Sequence, residues 1–235
     1  MVSVDTVYQK VLALANKEQR GYITPQDFNL FANQAQLEIF EQYFYDTNIA
    51  RKTQGNDTIY ADVDDMLEEK LQIFETVDTA STTPAIGDYY PSLPNHMYRV
   101  HEIAVKNYKA EILNTKDFNA CLNSGALIAP SIRRPIANIK NSTISVSTGG
   151  VNLVTPTSIY YFRAPERVNW TYVVINKNAM YDANPSTQNF ELHRSEENNL
   201  VNKILMLAGL ANQQPDIMKA GQGMDMATKQ QQPKI

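Results

Sequence analysis

The sequence predicts an α+β chain: a helical bundle, made of an N-terminal helical hairpin and a C-terminal helix, with an antiparallel β-rich region inserted between them. Three observations point to it. Residues 21–46 read as a strongly started helix, residues 195–211 read as another near the far end, and strand-like segments fill the middle. The expected division is residues 1–76 with 190–220 for the helical part, 77–189 for the β-rich insertion and 221–235 for a tail. With 235 residues and 43% apolar content, the chain can bury a core in one large domain or two small ones.

The first helix starts at Ser3 or Asp5 and shows Val7, Val11, Leu12, Leu14 and Ala15 on its apolar face. It should stop at residues 17–20, before Gly21. The second helix has Thr24 as N-cap, Pro25 at the first helical position and Asp27 in the first turn. Ile23 and Phe28 stand where a hydrophobic staple needs them. This helix carries two apolar stripes: Phe28, Phe31, Ala35 and Ile39, and then Leu30, Leu37, Phe40 and Phe44. An edge helix of a simple domain needs only one. The second stripe is therefore either core or an inter-subunit contact.

A polar loop is expected over residues 47–58, then a third helix over 61–75 with an acidic start at Asp62, Asp64 and Asp65 and a stripe of Leu67, Leu71 and Phe74. Strands are expected at 97–108, with a bulge before Val105, and at 136–140, 143–147, 158–163 and 170–175, with residues 109–113 pairing back on the first. Thr115 should cap a short helix over 116–123 that stops at Ser124-Gly125. Asn141-Ser142 reads as a tight turn, and Gly149-Gly150 as a turn or hinge. In the last helix Ser195 is the expected cap, and Leu200, Ile204, Leu207 and Ala211 form the stripe, with Val201, Leu205 and Ala208 beside it. Residues 216–220 read as one more short helix. The tail from Gly221 has no core pattern and needs a partner to order it.

A net charge of −4 argues against a broad basic surface that grips nucleic acid. No apolar run is long enough to span a bilayer, and the N-terminus lacks the pattern of a secretory signal, so a soluble protein made in a cytoplasm is expected. One cysteine, Cys121, cannot make an internal disulfide, and on a short apolar helix it reads as a buried small hydrophobe. No phosphate loop, dinucleotide fingerprint or metalloprotease helix is present.

Catalysis needs convergent acids, bases or nucleophiles, and the sequence shows no such set. His96 and His101 should face opposite sides of a strand, and His193 stands apart. The acidic run of Asp62, Asp64 and Glu68 lacks the central glycine of a calcium loop and reads as a solvated helix start. The rival reading is a hydrolase with carboxylates of residues 62–69 in a cleft. Tyr89-Tyr90 and Tyr160-Tyr161-Phe162 read as core and sheet surface, with a sugar-stacking platform as the alternative. Arg133-Arg134, like Arg163 and Arg167, reads as a solvated turn pair. The expectation is a chain that offers surfaces, with no catalytic residue, cofactor or metal.

Four segments together resemble a known family. They are GYITPQDFNLFANQAQ (residues 21–36), SLPNHMYRV (92–100), PTSIYYFRAPERVNW (156–170), and FELHRSEENNLVNKILMLAGL (190–210) followed by QPDI (214–217). The pattern resembles the head-to-tail connector, or adaptor ring, proteins of short-tailed phages, above all those of crAss-like phages. The resemblance spans roughly residues 1–220, and its motifs are structural. It implies a virion protein at the head–tail junction: a homo-oligomeric ring, usually of twelve copies, stacked on the portal or an adjacent ring or tail protein. Genomic DNA would pass through its channel without sequence-specific contact, and no membrane is involved. An acidic wall suits such a conduit, because it repels phosphate. The second-stripe residues Leu30, Leu37, Phe40 and Phe44 are then the candidate inter-subunit contact. The family's C-terminal extension corresponds to residues 221–235, so Met224, Met226 and Ile235, with Met218 just before, are the candidate contacts with the portal or adjacent ring. A tail-associated glycan- or receptor-binding protein is the alternative function.

Overall fold

A computed structural model of the chain describes residues 1–17, 23–52, 58–80, 88–90, 96–125, 128–140, 143–149, 157–176, 178–211, 219, 222–223 and 226. The chain is mixed α+β, as its sequence predicts. It divides into two units: Met1–Ile73 with Pro165–Ile235, and Phe74–Ala164 between them. The insertion thus ends at Ala164, well before the expected residue 189. The reason lies in the extended segment that follows Pro165, which docks on a helix of the first unit.

The first unit begins with α1 (Val4–Lys17), entered through Ser3, whose hydroxyl accepts from the Thr6 N–H at 3.4 Å. Val4, Val7, Tyr8, Val11 and Ala15 are buried, while Leu12 and Leu14 are half-buried. Helix α2 (Pro25–Lys52) opens on a reciprocal cap. The Asp27 N–H donates to the Thr24 hydroxyl at 3.1 Å, and that hydroxyl donates to the Asp27 carboxylate at 2.6 Å. Ile23 and Phe28 are both buried, as a staple requires. The helix runs past the expected end at Asp46, because neither Gly nor Pro occurs before Gly55. Buried Thr47 fits the helix by donating to the Tyr43 carbonyl at 2.8 Å.

Helix α3 (Thr58–Gln72) starts and stops earlier than the pattern suggested, and Phe74 is buried beyond its end. Helix α5 (Glu197–Ala211) is preceded by a 3₁₀ turn, Arg194–Glu196. His193, and not Ser195, caps that turn, accepting from the Ser195 N–H at 3.3 Å. Leu200, Val201, Ile204, Leu205, Leu207 and Ala208 are buried, whereas Ala211 is exposed. Helix α2 packs on α3 and α5, and α1 packs on α5. An antiparallel ribbon, β9 (Tyr172–Ile175) and β10 (Asn178–Tyr181), completes this unit. It turns at Asn176, whose φ of 50° suits a tight hairpin.

Among the described residues, the second unit holds two four-stranded sheets. One has the order β1 (Glu75–Ala80), β8 (Thr157–Arg163), β3 (Met97–Val105), β4 (Tyr108–Lys109). The other has the order β2 (Asp88–Tyr90), β7 (Thr143–Ser147), β6 (Ile136–Lys140), β5 (Glu111–Ile112). Ile103, Val105, Ile159 and Tyr161 of the first share a core with Ala137, Ile144 and Val146 of the second. Alternation along each strand sends these residues inward. The expected strand over residues 97–108 breaks at Lys106, whose φ of 57° makes the turn into β4. Its register shifts lie between Met97 and Arg99 and between Val100 and Glu102, not before Val105. The segment expected to pair back on β3 splits: β4 does so, but β5 pairs with β6 in parallel, the one exception to an otherwise antiparallel region among the described strands. Helix α4 (Thr115–Asn123) is capped by Asn114 instead of Thr115, through the Asp117 N–H at 2.8 Å. Asn141-Ser142 and Gly150 lie outside the described residues.

Gly149 adopts a φ of 78°, and a Cβ there would come within 2.2 Å of the Pro130 carbonyl oxygen. Both the left-handed backbone and the backbone contact reject a side chain. Gly149→Ala should therefore lower the melting temperature by several degrees, corresponding to about 2 kcal/mol or more. Gly125→Ala, with open space around its Cβ, serves as the control in the same thermal scan.

Candidate assembly surface

Three side-chain amides on one face of α2 hold the extended chain after Pro165. Asn29 accepts from the Trp170 N–H at 2.8 Å and donates to the Trp170 carbonyl at 3.2 Å. Asn33 accepts from the Val168 N–H and donates to the Val168 carbonyl, at 2.8 and 2.9 Å. Gln36 donates to the Glu166 carbonyl at 2.8 Å and accepts from the Glu191 N–H at 3.1 Å. The Glu191 carboxylate closes the set by accepting from the Glu166 N–H at 2.8 Å. The helix spaces its amides at i, i+4 and i+7, over about 10 Å. The segment answers with residues 166, 168 and 170, spaced over about 13 Å of extended chain. Alternate residues of an extended chain point one way, so one helix face can read all three.

The same docking seats Trp170, the chain's only tryptophan, which is 1% exposed. Its ring lies 4.0 Å from Tyr8, which meets Phe28 edge-on at 4.8 Å. Its indole N–H donates to Asp5 at 3.1 Å. Tyr172 stacks on it at 5.6 Å, and Tyr181 follows at 6.0 Å. The base of the β9–β10 ribbon is thereby fixed to the helices. An antiparallel bridge of Val2 with Phe190 brings the chain start to the same region.

A second polar cluster joins α2, α3 and the turn before α5. Lys70 pairs with Glu196 at 2.7 Å, and both side chains are largely buried. Asn199 donates to the other Glu196 oxygen at 2.9 Å. The Lys70 ammonium also lies 5.5 Å from the centre of the Tyr43 ring. The Tyr43 hydroxyl is buried beside Glu196. Burial first, and then the Glu196 charge, push its pKa up, so it stays a neutral phenol.

With its inner faces saturated in this way, α2 still presents apolar residues outward. Leu30 is 69% exposed and Leu37 42% exposed. Phe40, expected with them, is 0% exposed and belongs to the chain's own core. Phe44 is half-buried and packs edge-on against Phe40 at 5.1 Å. The expected second stripe is thus split between core and surface, because 3.6 residues per turn rotate Phe40 towards the packed side. In the tail, Met226 is exposed, and Met218, Met224 and Ile235 lie outside the described residues.

The residues weighed as chemical groups are placed as follows. The His96 ring meets the Tyr161 hydroxyl at 2.9 Å, while His101 packs against Phe162 at 5.3 Å. Tyr161 and Phe162 are neighbours on one strand, so the two histidines lie on opposite faces. His193 bonds Ser195 at 2.9 Å as part of its capping role. Cys121 is half-buried, not fully buried, because α4 covers only one side of itself with Phe118. Asp65, Glu68 and Glu69 are exposed, the side chains of Asp62 and Asp64 lie outside the described set, and no acid or histidine cluster suited to a metal occurs among the described residues. Tyr161 is core, Tyr160 and Phe162 are half-buried, and the side chains of Tyr89 and Tyr90 lie outside the described set. Arg134 pairs with Glu111 at 2.9 Å beside an exposed Arg133.

No protein-family model matches the chain, and no curated protein is similar to it.

Sequence reasoning missed the three amides. Their signal was present: Asn29, Asn33 and Gln36 repeat at helical spacing beside the core stripe of Phe28, Ala32, Ala35 and Ile39. Replacing Asn33 with Leu strands both backbone groups of Val168, and should cost about 2–4 kcal/mol. Urea unfolding followed by Trp170 fluorescence measures it; Gln34→Leu, on the exposed side, should stay within about 0.5 kcal/mol of wild type. Lys70→Met should destabilise by about 3–5 kcal/mol by leaving Glu196 unpaired, and adding Glu196→Leu should restore most of that. A double-mutant cycle from the same unfolding curves reads the difference.

Proposed function

We propose that the chain is a structural subunit of a phage virion. It forms a homo-oligomeric ring at the head–tail junction, joins the portal to the tail, and lines the channel through which the genome passes. Its work is adhesion and channel closure, and it turns over no substrate.

The observation that carries this reading is the outward face of α2. Leu30 and Leu37 are exposed on a helix whose other faces already hold a core and a ladder of amides. Large apolar side chains left outside a satisfied helix mark a surface for another protein. A cyclic ring needs such a surface on every copy. The segments that carry the family resemblance add support, since residues 29–36, 166–170 and 191 meet in the amide ladder. Twelve copies, a portal or adjacent-ring contact through the tail, and passage of DNA without sequence readout all follow from the resemblance. The net charge of −4 suits a channel in which DNA slides.

The test uses Leu30→Glu with Leu37→Glu. Both side chains are exposed, so the variant should fold and keep its stability within about 0.5 kcal/mol per site. It should lose the ring, as read by native mass spectrometry and electron microscopy of the purified protein and of virions. A wild-type protein that stays monomeric and is absent from virions would overturn the reading.

A further inference from the structure

The β9–β10 ribbon pairs with no other strand among the described residues, so both of its edges are open. A two-stranded ribbon is marginal in water unless an apolar face is covered. One face is partly covered at its base, where Tyr172 and Tyr181 lie against Trp170. The other is apolar and open. Register places Val173 opposite Met180, with Ile175 two residues on, and these are 47%, 54% and 50% exposed. Val174, on the first face beyond the tyrosines, is 63% exposed. Natural proteins guard open strand edges with charges or proline, and residues 172–181 contain no proline, no acid and only Lys177.

We propose, resting on the ring reading above, that this ribbon is the arm by which each copy grips the Leu30–Leu37 face of α2 on the next copy. Three features name a second copy as the occupant. The unit carries two different exposed apolar surfaces, ribbon and helix face, and a head-to-tail ring contact joins two different surfaces. Their dimensions agree: Leu30 and Leu37 lie about 10 Å apart along the helix, and a four-residue ribbon spans about 13 Å. Their charges are opposite in sign, because the helix face is flanked by exposed Asp27 and Glu41, while the one charged residue of 172–181 is Lys177. The ribbon offers only a few half-exposed side chains, well short of the about 20–30 residues a side, roughly 800 Å² per partner, of a stable two-body interface. A patch of that size serves a closed ring, in which every copy both gives and receives the contact.

The experiment uses full-length chains with Cys121→Ser, one carrying Leu37→Cys and the other Val173→Cys. They are mixed and treated with a short bismaleimide. The expected product joins the two different variants, and a chain carrying both cysteines gives covalently closed rings. In parallel, Val173→Glu with Met180→Glu should reduce the ring fraction in native mass spectra by about tenfold or more. Trp170 fluorescence checks that this variant is folded, and Val173→Thr with Met180→Gln repeats the test with a milder change. Cross-links only between two Val173→Cys chains would overturn the proposal, since ribbons would then pair with each other. Wild-type rings that persist unchanged in the ribbon variants would also overturn it, and would leave the ring reading standing. So would a ribbon variant that forms rings but fails to enter particles, or that loses binding to lipid vesicles, because the ribbon would then face another virion protein or a membrane. A wild-type chain that forms no ring alone or in virions removes both readings together.

Discussion

Helix α2 serves as a substitute strand. Asn29, Asn33 and Gln36 offer donor and acceptor together, as a peptide group does, and the chain at residues 166–170 bonds to them as it would to a neighbouring strand. Each such bond adds only about 1 kcal/mol net, but an unmade one leaves a backbone group without a partner at a cost of about 1–3 kcal/mol. That asymmetry makes the ladder a specificity device. It sets the register in which the returning chain meets the helix, and the register seats Trp170 against Tyr8 and Tyr172. The core of the unit, the place of the chain start beside Phe190 and the base of the ribbon all follow from that seat.

This arrangement also explains how a β-rich unit can be inserted into a helical one. The chain leaves the helices after Ile73 and returns at Pro165. Closing a long loop carries an entropic cost that contacts at the return point must offset. The Glu166–Gln36–Glu191 set lies at that return point, and Glu191 is 3% exposed. The Lys70–Glu196 pair does the same where the chain enters α5. Once both are made, the inner faces of α2 are used up. What is left outward is Leu30 and, in part, Leu37, at 69% and 42% exposed.

Much of the candidate surface was visible in the spacing of α2, but its division was not. Leu30, Leu37, Phe40 and Phe44 form one broad stripe at helical spacing, yet α3 and α5 pack on the helix and take Phe40, at the edge of that stripe, into the core while leaving Leu30 outside. The ribbon escaped notice for a different reason. Its second strand, Asn178–Tyr181, is four residues long and mixed in character, and periodicity needs a longer window. Strands β1 and β2 are hidden in the same way, by a Thr- and Asp-rich segment that β8 accepts in register and by a three-residue strand. The returning segment falls inside the expected β-rich insertion, residues 77–189, although its partners lie on α2. Extension is a local property, whereas the partner that satisfies it is not.

By itself the sequence determined what depends on neighbours within a few residues. The cap at Thr24 and Asp27, the stripe of α5 at Leu200, Ile204 and Leu207, and the bounds of β6 and β7 are of this kind. Propensity, capping and side-chain period act over one or two turns, so they can be read locally. Only the tertiary structure decided which apolar residues of α2 face solvent, that its amides bind residues 166–170, and that the ribbon stands open. The amide contacts join groups 130 or more positions apart, as Gln36 and Glu166 are, and no local pattern encodes a partner at that separation. The helix whose cap is legible at Thr24 and Asp27 is also the element on which the returning chain docks, and its two outward leucines are what that docking leaves over.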